Sequence, residues 1–292
     1  MSPRDTAQPP ARPLVAAGWM VGAIVSFAAM AIAGRELSAE FDTFEIMAYR
    51  SAIGLPIITG LLLASQGLAG MRTRQPGAHV TRNVIHFAAQ NFWFFGVATI
   101  PLAQLVAIEF TSPIWIALMA PLLLGERMTR AGLIAAGLGF AGVLIVARPG
   151  IAPLAPGHGA ALIAAIGFAL TNIWTKRLSR HDGALTILFW MTLSQMLMGV
   201  VCALPGGIAV PSAALVPWVL FVGICGLTAH FSLTRALFAA PASVVAPMEF
   251  MRLPVIAIAA TLMYGERLEI AVFAGAAVIF AGNLINLRGA RR

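Results

Sequence analysis

The chain has 292 residues, of which 60% are hydrophobic and only 10% charged, and its mean hydropathy is +0.89. Soluble domains carry about 25% charged residues, so a chain this apolar cannot cover a water-facing surface, and a soluble enzyme or binding module is excluded. The net charge of +8 does not point to nucleic acid, because the basic residues lie in short loops between apolar runs, with no interleaved basic and aromatic surface.

A bilayer core takes about 20 apolar residues per helix. Residues 1–13 read as a polar, Pro-rich cytoplasmic tail without a signal-peptide pattern. Runs of spanning length follow at 14–34, 43–64, 80–98, 101–123, 131–148, 159–178, 184–204, 213–238, 241–264 and 270–288, with charges, Gly or Pro between them. They predict an all-α polytopic membrane protein of ten transmembrane helices. Cys202 and Cys225 lie inside apolar runs and suit helix packing better than a disulfide or a metal site. With the N-terminus inside, cytoplasmic segments hold fourteen Lys and Arg, exterior loops hold three, and Arg50 and Arg252 fall within spans. This bias puts both termini in the cytoplasm of a cell with the protein in its inner membrane.

The second half repeats the first. Pro101–Ile145 aligns without gaps on Pro241–Ile285, an offset of 140 residues, with 17 of 45 positions identical. Among them are Glu109/Glu249, Phe110/Phe250, Gly142/Gly282 and the triplets Gly125-Glu126-Arg127 and Gly265-Glu266-Arg267. Upstream, FAAMAIAGRELS at 27–38 is similar to FALTNIWTKRLS at 168–179. Five spans per copy is an odd number, so the copies insert with opposite orientation, as two inverted five-helix repeats. The expected division is a tail at 1–13, a first repeat at 14–148, a linker at 149–158, a second repeat at 159–288 and a cytoplasmic end at 289–292.

Charges inside spans carry the functional expectation. By helical rise, Glu109 lies about 12 Å and Arg50 about 10 Å below the outer face, which predicts an Arg50–Glu109 ion pair. Glu249 and Arg252 are spaced i, i+3 in span 9 and are expected to touch. One Glu in each half, each reached from its own side, suits alternating access. Pro113 in span 4, with Pro247 and Pro254 in span 9, should kink their helices and free carbonyls near the midplane. Asn83, His86 and Gln90 form one stripe of span 3, His230 is the repeat partner of Gln90, and Thr228, Ser232 and Arg235 form a stripe of span 8. Trp93, Phe94 and Trp115 would supply aromatic walls. The candidate substrate site is therefore Arg50, His86, Gln90, Glu109, Glu249 and Arg252, with His230 and those three aromatics. Helix-to-helix hydrogen bonding or core packing is the rival role for the stripe, His230 and the aromatics. Arg72, Arg74 and Arg82 read as topology determinants, and the two GER triplets as helix caps or loop pins.

The chain resembles the drug/metabolite transporter superfamily in its ten-helix EamA-domain branch, over roughly residues 14–288. The resemblance rests on Arg50 in AYRSAIGLP, the span 4 end SPIWIALMAPLLLGER and its copy LPVIAIAATLMYGER. It implies a small-metabolite carrier with a cavity between the halves. Export of amino acids or related compounds leads, by a gradient, proton coupling or exchange; uptake of a metabolite such as S-adenosylmethionine or riboflavin is the alternative. The small four-helix relatives use a Glu in their first helix for proton-coupled drug export, but spans 1 and 6 here have no acid, so multidrug export is a minor alternative. No cofactor or metal is expected, and the five His show no metal-ligand spacing and no pairing with a nucleophile, which argues against an enzyme. The implied partners are a small-molecule substrate and the lipid bilayer, and the oligomeric state is left open.

Overall fold

The computed structural model describes residues 12–124, 130–148, 153–239, 245 and 248–289. The described residues are helical and contain no strand. The helices are α1 (Pro13–Leu37), α2 (Thr43–Gln66), α3 (Pro76–Thr99), α4 (Leu102–Glu109), α5 (Ser112–Leu124), α6 (Arg130–Ala147), α7 (Pro156–Leu178), α8 (Ala184–Ala203), α9 (Val216–Ala239), α10 (Arg252–Tyr264) and α11 (Ile270–Gly289). Among the described residues, seven helical stretches, with α4 and α5 counted as one, are long and apolar enough to cross a membrane, and Arg252–Tyr264 and Ile270–Asn286 are shorter apolar helices. The helix α3 is 24 residues long but more polar. Its His79, Arg82, Asn83, His86 and Gln90 are all buried, so this polarity faces neighbouring helices.

Local chemistry fixes the helix starts. Pro13, Pro76 and Pro156 open α1, α3 and α7, where a missing N–H costs nothing. The Asp42 side chain accepts from Glu45 N and the Glu45 side chain from Asp42 N, a reciprocal cap on α2. Such a cap stabilises a helix by about 1 kcal/mol. Gly265 takes the left-handed conformation, φ 64°, that ends α10.

The principal packing partners are α1 with α9, α2 with α8, α3 with α7, and α6 with α11, while α4 lies against α7 and α10. Small residues let these pairs approach closely. A Cβ on Gly142 would come within 2.7 Å of the Gly275 carbonyl oxygen, and one on Gly199 within 2.8 Å of Ala48 N. Neither backbone can move away without opening its helix crossing.

At one end of the molecule, polar contacts tie α1, the α3–α4 turn and the segment after α10. Arg35 bonds Glu266 at 3.1 Å, the Ile100 carbonyl at 2.6 Å and the Val97 carbonyl. The second oxygen of Glu266 accepts from Leu102 N at 3.0 Å and so caps α4, the role expected for the second GER triplet. Tyr264 donates to Glu36 at 2.8 Å beside them. The first triplet lies outside the described residues. Arg82 departs from the expected loop position: it is buried and donates to Thr175 and Asn83.

Candidate functional site

The site begins at two breaks in the helices. The helix α4 ends at Glu109, Phe110 and Thr111 turn, and α5 starts at Ser112. In the second half residues 248–249 are helical, Phe250 and Met251 turn, and α10 starts at Arg252. The two breaks fall at the same repeat positions. Pro113 has no N–H for the Glu109 carbonyl, and Pro254 none for the Phe250 carbonyl. The chain tightens there into shorter bonds, with Thr111 N donating to Ile108 O at 3.0 Å and Met251 N to Met248 O at 3.1 Å. Pro113 and Pro254 therefore sit in the first turn of a new helix and do not bend a continuous one. Asn283 of α11 donates to the Phe110 carbonyl at 3.0 Å, satisfying one group that the break exposes. Pro247 lies outside the described residues.

The charges at the breaks pair differently from expectation. Arg252 Nη2 reaches Glu109 Oε1 at 2.7 Å, and Trp93 Nε1 donates to Glu109 Oε2 at 2.9 Å. Arg252 also sits 5.1 Å from the ring centres of both Phe27 and Phe110. The expected Arg50–Glu109 pair is thus replaced by a pair joining the two halves of the chain. Arg252 is near enough to act electrostatically on Glu249, as expected, but its hydrogen bond goes to Glu109 and not to Glu249. The reason is lateral: depth matched Arg50 to Glu109, but α4 packs against α10. Glu249 is half-buried and accepts no hydrogen bond among the described residues.

Arg50 is held elsewhere. Its Nη1 donates to Gln90 Oε1 at 2.7 Å and to Gln195 Oε1 at 3.1 Å. Gly226 makes room for it, because a Cβ there would strike the guanidinium. One turn from Gln90, His86 meets His230 with ring centres 5.9 Å apart. His86 also lies against Phe168, and His230 against Phe27. Arg50 Nε, both ring nitrogens of His86, His230 Nε2 and Arg252 Nε are buried with no hydrogen-bond partner among the described residues. Buried polar groups are ordinarily satisfied, so these five nitrogens, donors apart from one nitrogen of each neutral imidazole, stand out along one chain of contacts. Phe110 and Phe250, repeat mates, stack at 4.3 Å beside it.

The structure thus gathers Arg50, Gln90, His86, His230, Arg252, Glu109 and Trp93 along one connected path, with Glu249 at the edge of its break. Phe94 touches this path only through Trp93, with ring centres 5.1 Å apart, and is buried against Gly34 of α1. Trp115 is half-buried one turn past the break and donates to Thr111 at 3.2 Å. Asn83 bonds Ser194 and the Trp190 carbonyl, so it joins helices. The span 8 stripe turns to α1, with Thr228 bonding Ser26 and Arg235 over the Trp19 ring. The described residues contain no group of His, Cys, Asp and Glu able to hold a metal ion.

A family model described as the EamA-like transporter family matches residues 14–148 and again residues 155–288. The chain belongs to the EamA-like transporter family. Among its relatives, a riboflavin transporter of Rhizobium johnstonii is 31% identical, covering 100% of this chain and 97% of its own. An S-adenosylmethionine uptake transporter of Rickettsia bellii is 23% identical across 91% of each chain. A protein of known crystal structure shares the fold, with a TM-score of 0.66 at 20% identity over 94% of this chain and 98% of that one. Within this EamA-like transporter, sequence reasoning missed Gln195, Phe27, Phe168 and Asn283. Gln195 had a signal, as the only amide side chain in its apolar run. The two Phe had none, because nothing sets them apart from the other 15 in the chain.

Proposed function

We propose that this EamA-like transporter is a ten-helix uptake carrier of the inner membrane, and that it moves an uncharged, planar, hydrogen-bonding metabolite such as riboflavin by alternating access. The observation that carries this is the buried path of Arg50, His86, His230 and Arg252, which offers five unpartnered nitrogens among aromatic faces where the two halves meet. The name of the Rhizobium johnstonii relative adds to it.

The inverted repeat, with repeats at 14–148 and 159–288, draws support from the packing. Under the 140-residue offset the α1–α9 pair exchanges with α7–α3, while α2–α8 and α6–α11 map onto themselves. A two-fold axis in the membrane plane would produce this pattern. Ten spans follow if α3 crosses with its polar side inward and α10 crosses together with the residues before it. Cytoplasmic termini rest on the distribution of Lys and Arg.

Amino-acid export, the leading expectation from sequence, has no counterpart among the names of these relatives, and uptake takes its place. S-adenosylmethionine is the second candidate, favoured by Glu249, an acidic group that accepts no hydrogen bond among the described residues and is free to face a cation. The test is uptake of radiolabelled riboflavin, S-adenosylmethionine and mixed amino acids by proteoliposomes. Saturable riboflavin uptake, reduced by excess unlabelled riboflavin and not by the others, is the expected result. Saturable S-adenosylmethionine uptake alone would reverse the assignment.

A further inference from the structure

We propose that the site is polarised from end to end: the substrate lies with its acceptor-rich edge at Arg50 and its hydroxyl-bearing chain at Glu249. This rests on the riboflavin-type substrate proposed above and adds the orientation in which it is held.

The two ends differ in kind. At the first, both glutamine oxygens are taken up by Arg50 Nη1, which fixes the guanidinium and leaves Arg50 Nε without a partner. His86 and His230 follow along the path, each with unpartnered ring nitrogen. A guanidinium only donates, and a neutral imidazole donates from one nitrogen. Such a group, donors with an imidazole acceptor among them, suits the edge of a pyrimidinedione, whose two carbonyls accept and whose N–H donates.

At the second end the chemistry reverses. Glu109 already accepts from Arg252 and Trp93, one bond on each oxygen. Glu249, three residues before Arg252, accepts nothing among the described residues. An ionised carboxylate only accepts, with room for about four bonds. It needs donors, which the hydroxyls of a sugar-alcohol chain supply. Between the ends lie the rings of Phe27 and Phe168, against His230 and His86, suited to the edge of a fused ring.

The test compares riboflavin with lumiflavin, which has the same ring but a methyl group in place of the hydroxylated chain. Proteoliposomes holding wild type, Glu249→Gln or Arg50→Lys are assayed for labelled riboflavin uptake against each unlabelled competitor. A hydrogen bond to a charged group sets the scale at about tenfold. Wild type should prefer riboflavin by about that factor. Glu249→Gln should lose the preference while lumiflavin inhibition stays unchanged. Arg50→Lys should weaken both competitors together, with their ratio preserved. Gln195→Met, which removes one clamp on Arg50, takes its place if Arg50→Lys does not fold, with the same expected result. An unchanged preference in Glu249→Gln, or a changed ratio at the Arg50 end, overturns the orientation while leaving riboflavin as substrate. No flavin uptake by wild type overturns the substrate, and the orientation falls with it.

Discussion

Arg252 and Glu109 meet across the two halves with little water nearby, their side chains 10% and 15% exposed. Removing one member of such a pair strands the other, at a cost of about 3 kcal/mol. Glu109→Gln should therefore lower the melting temperature in detergent by several degrees, and adding Arg252→Gln should recover more than half of the loss. Thermal unfolding of the two single variants and the double variant checks this; additive losses would mean that the two side chains do not act as a pair. The ionisable residues of the site were legible because charge inside an apolar run stands out. Their partners were not. Sequence gives depth along a helix, and depth alone matched Arg50 to Glu109; which faces meet is decided by packing. Gln195 completes the Arg50 clamp from α8, 145 residues away.

The matched breaks after Glu109 and Glu249 set how each half moves at the level of the helices. A helix interrupted for two residues can change angle there while each segment keeps its own hydrogen bonds. Restoring a donor with Pro113→Ala or Pro254→Ala lets the preceding turn close and the helix run on. Either variant should fold normally but transport more slowly, by about tenfold at most, with little change in half-saturation. Initial uptake rates over a range of substrate concentrations measure this, and a raised half-saturation at unchanged maximal rate would place the prolines in binding instead. The prolines flagged the right helices from sequence. What they could not give was the form of the interruption, since a proline reads alike whether it bends a helix or opens the next one.

For the molecule as a whole, the Arg35–Glu266 cluster joins α1 of the first half to the segment after α10 at one end. Glu266→Gln should loosen that end. Ala31, buried one turn deeper on α1, can report it as a lone cysteine after Cys202 and Cys225 are replaced. A membrane-impermeant maleimide applied on the Arg35 side should label Ala31→Cys several-fold faster with Glu266→Gln present; equal rates would mean the cluster does not close that end. Hydropathy, repeat and charge bias made the helical class and the family readable, because they depend on totals over many residues. The cluster was not readable, because it joins residues up to 231 positions apart.

The scaffold repeats, yet the site does not. Gln90 corresponds to His230 by the offset, and Arg252 to Ser112. A substrate approaching from one side therefore meets different groups from one approaching from the other, and the two faces should grip it unequally. Around a closed cycle the free energies must sum to zero, so unequal grip cannot concentrate anything by itself. The difference in grip must equal the difference between the conformational bias of the loaded protein and that of the empty one, so a mutation at an unpaired repeat position shifts the two crossings relative to each other.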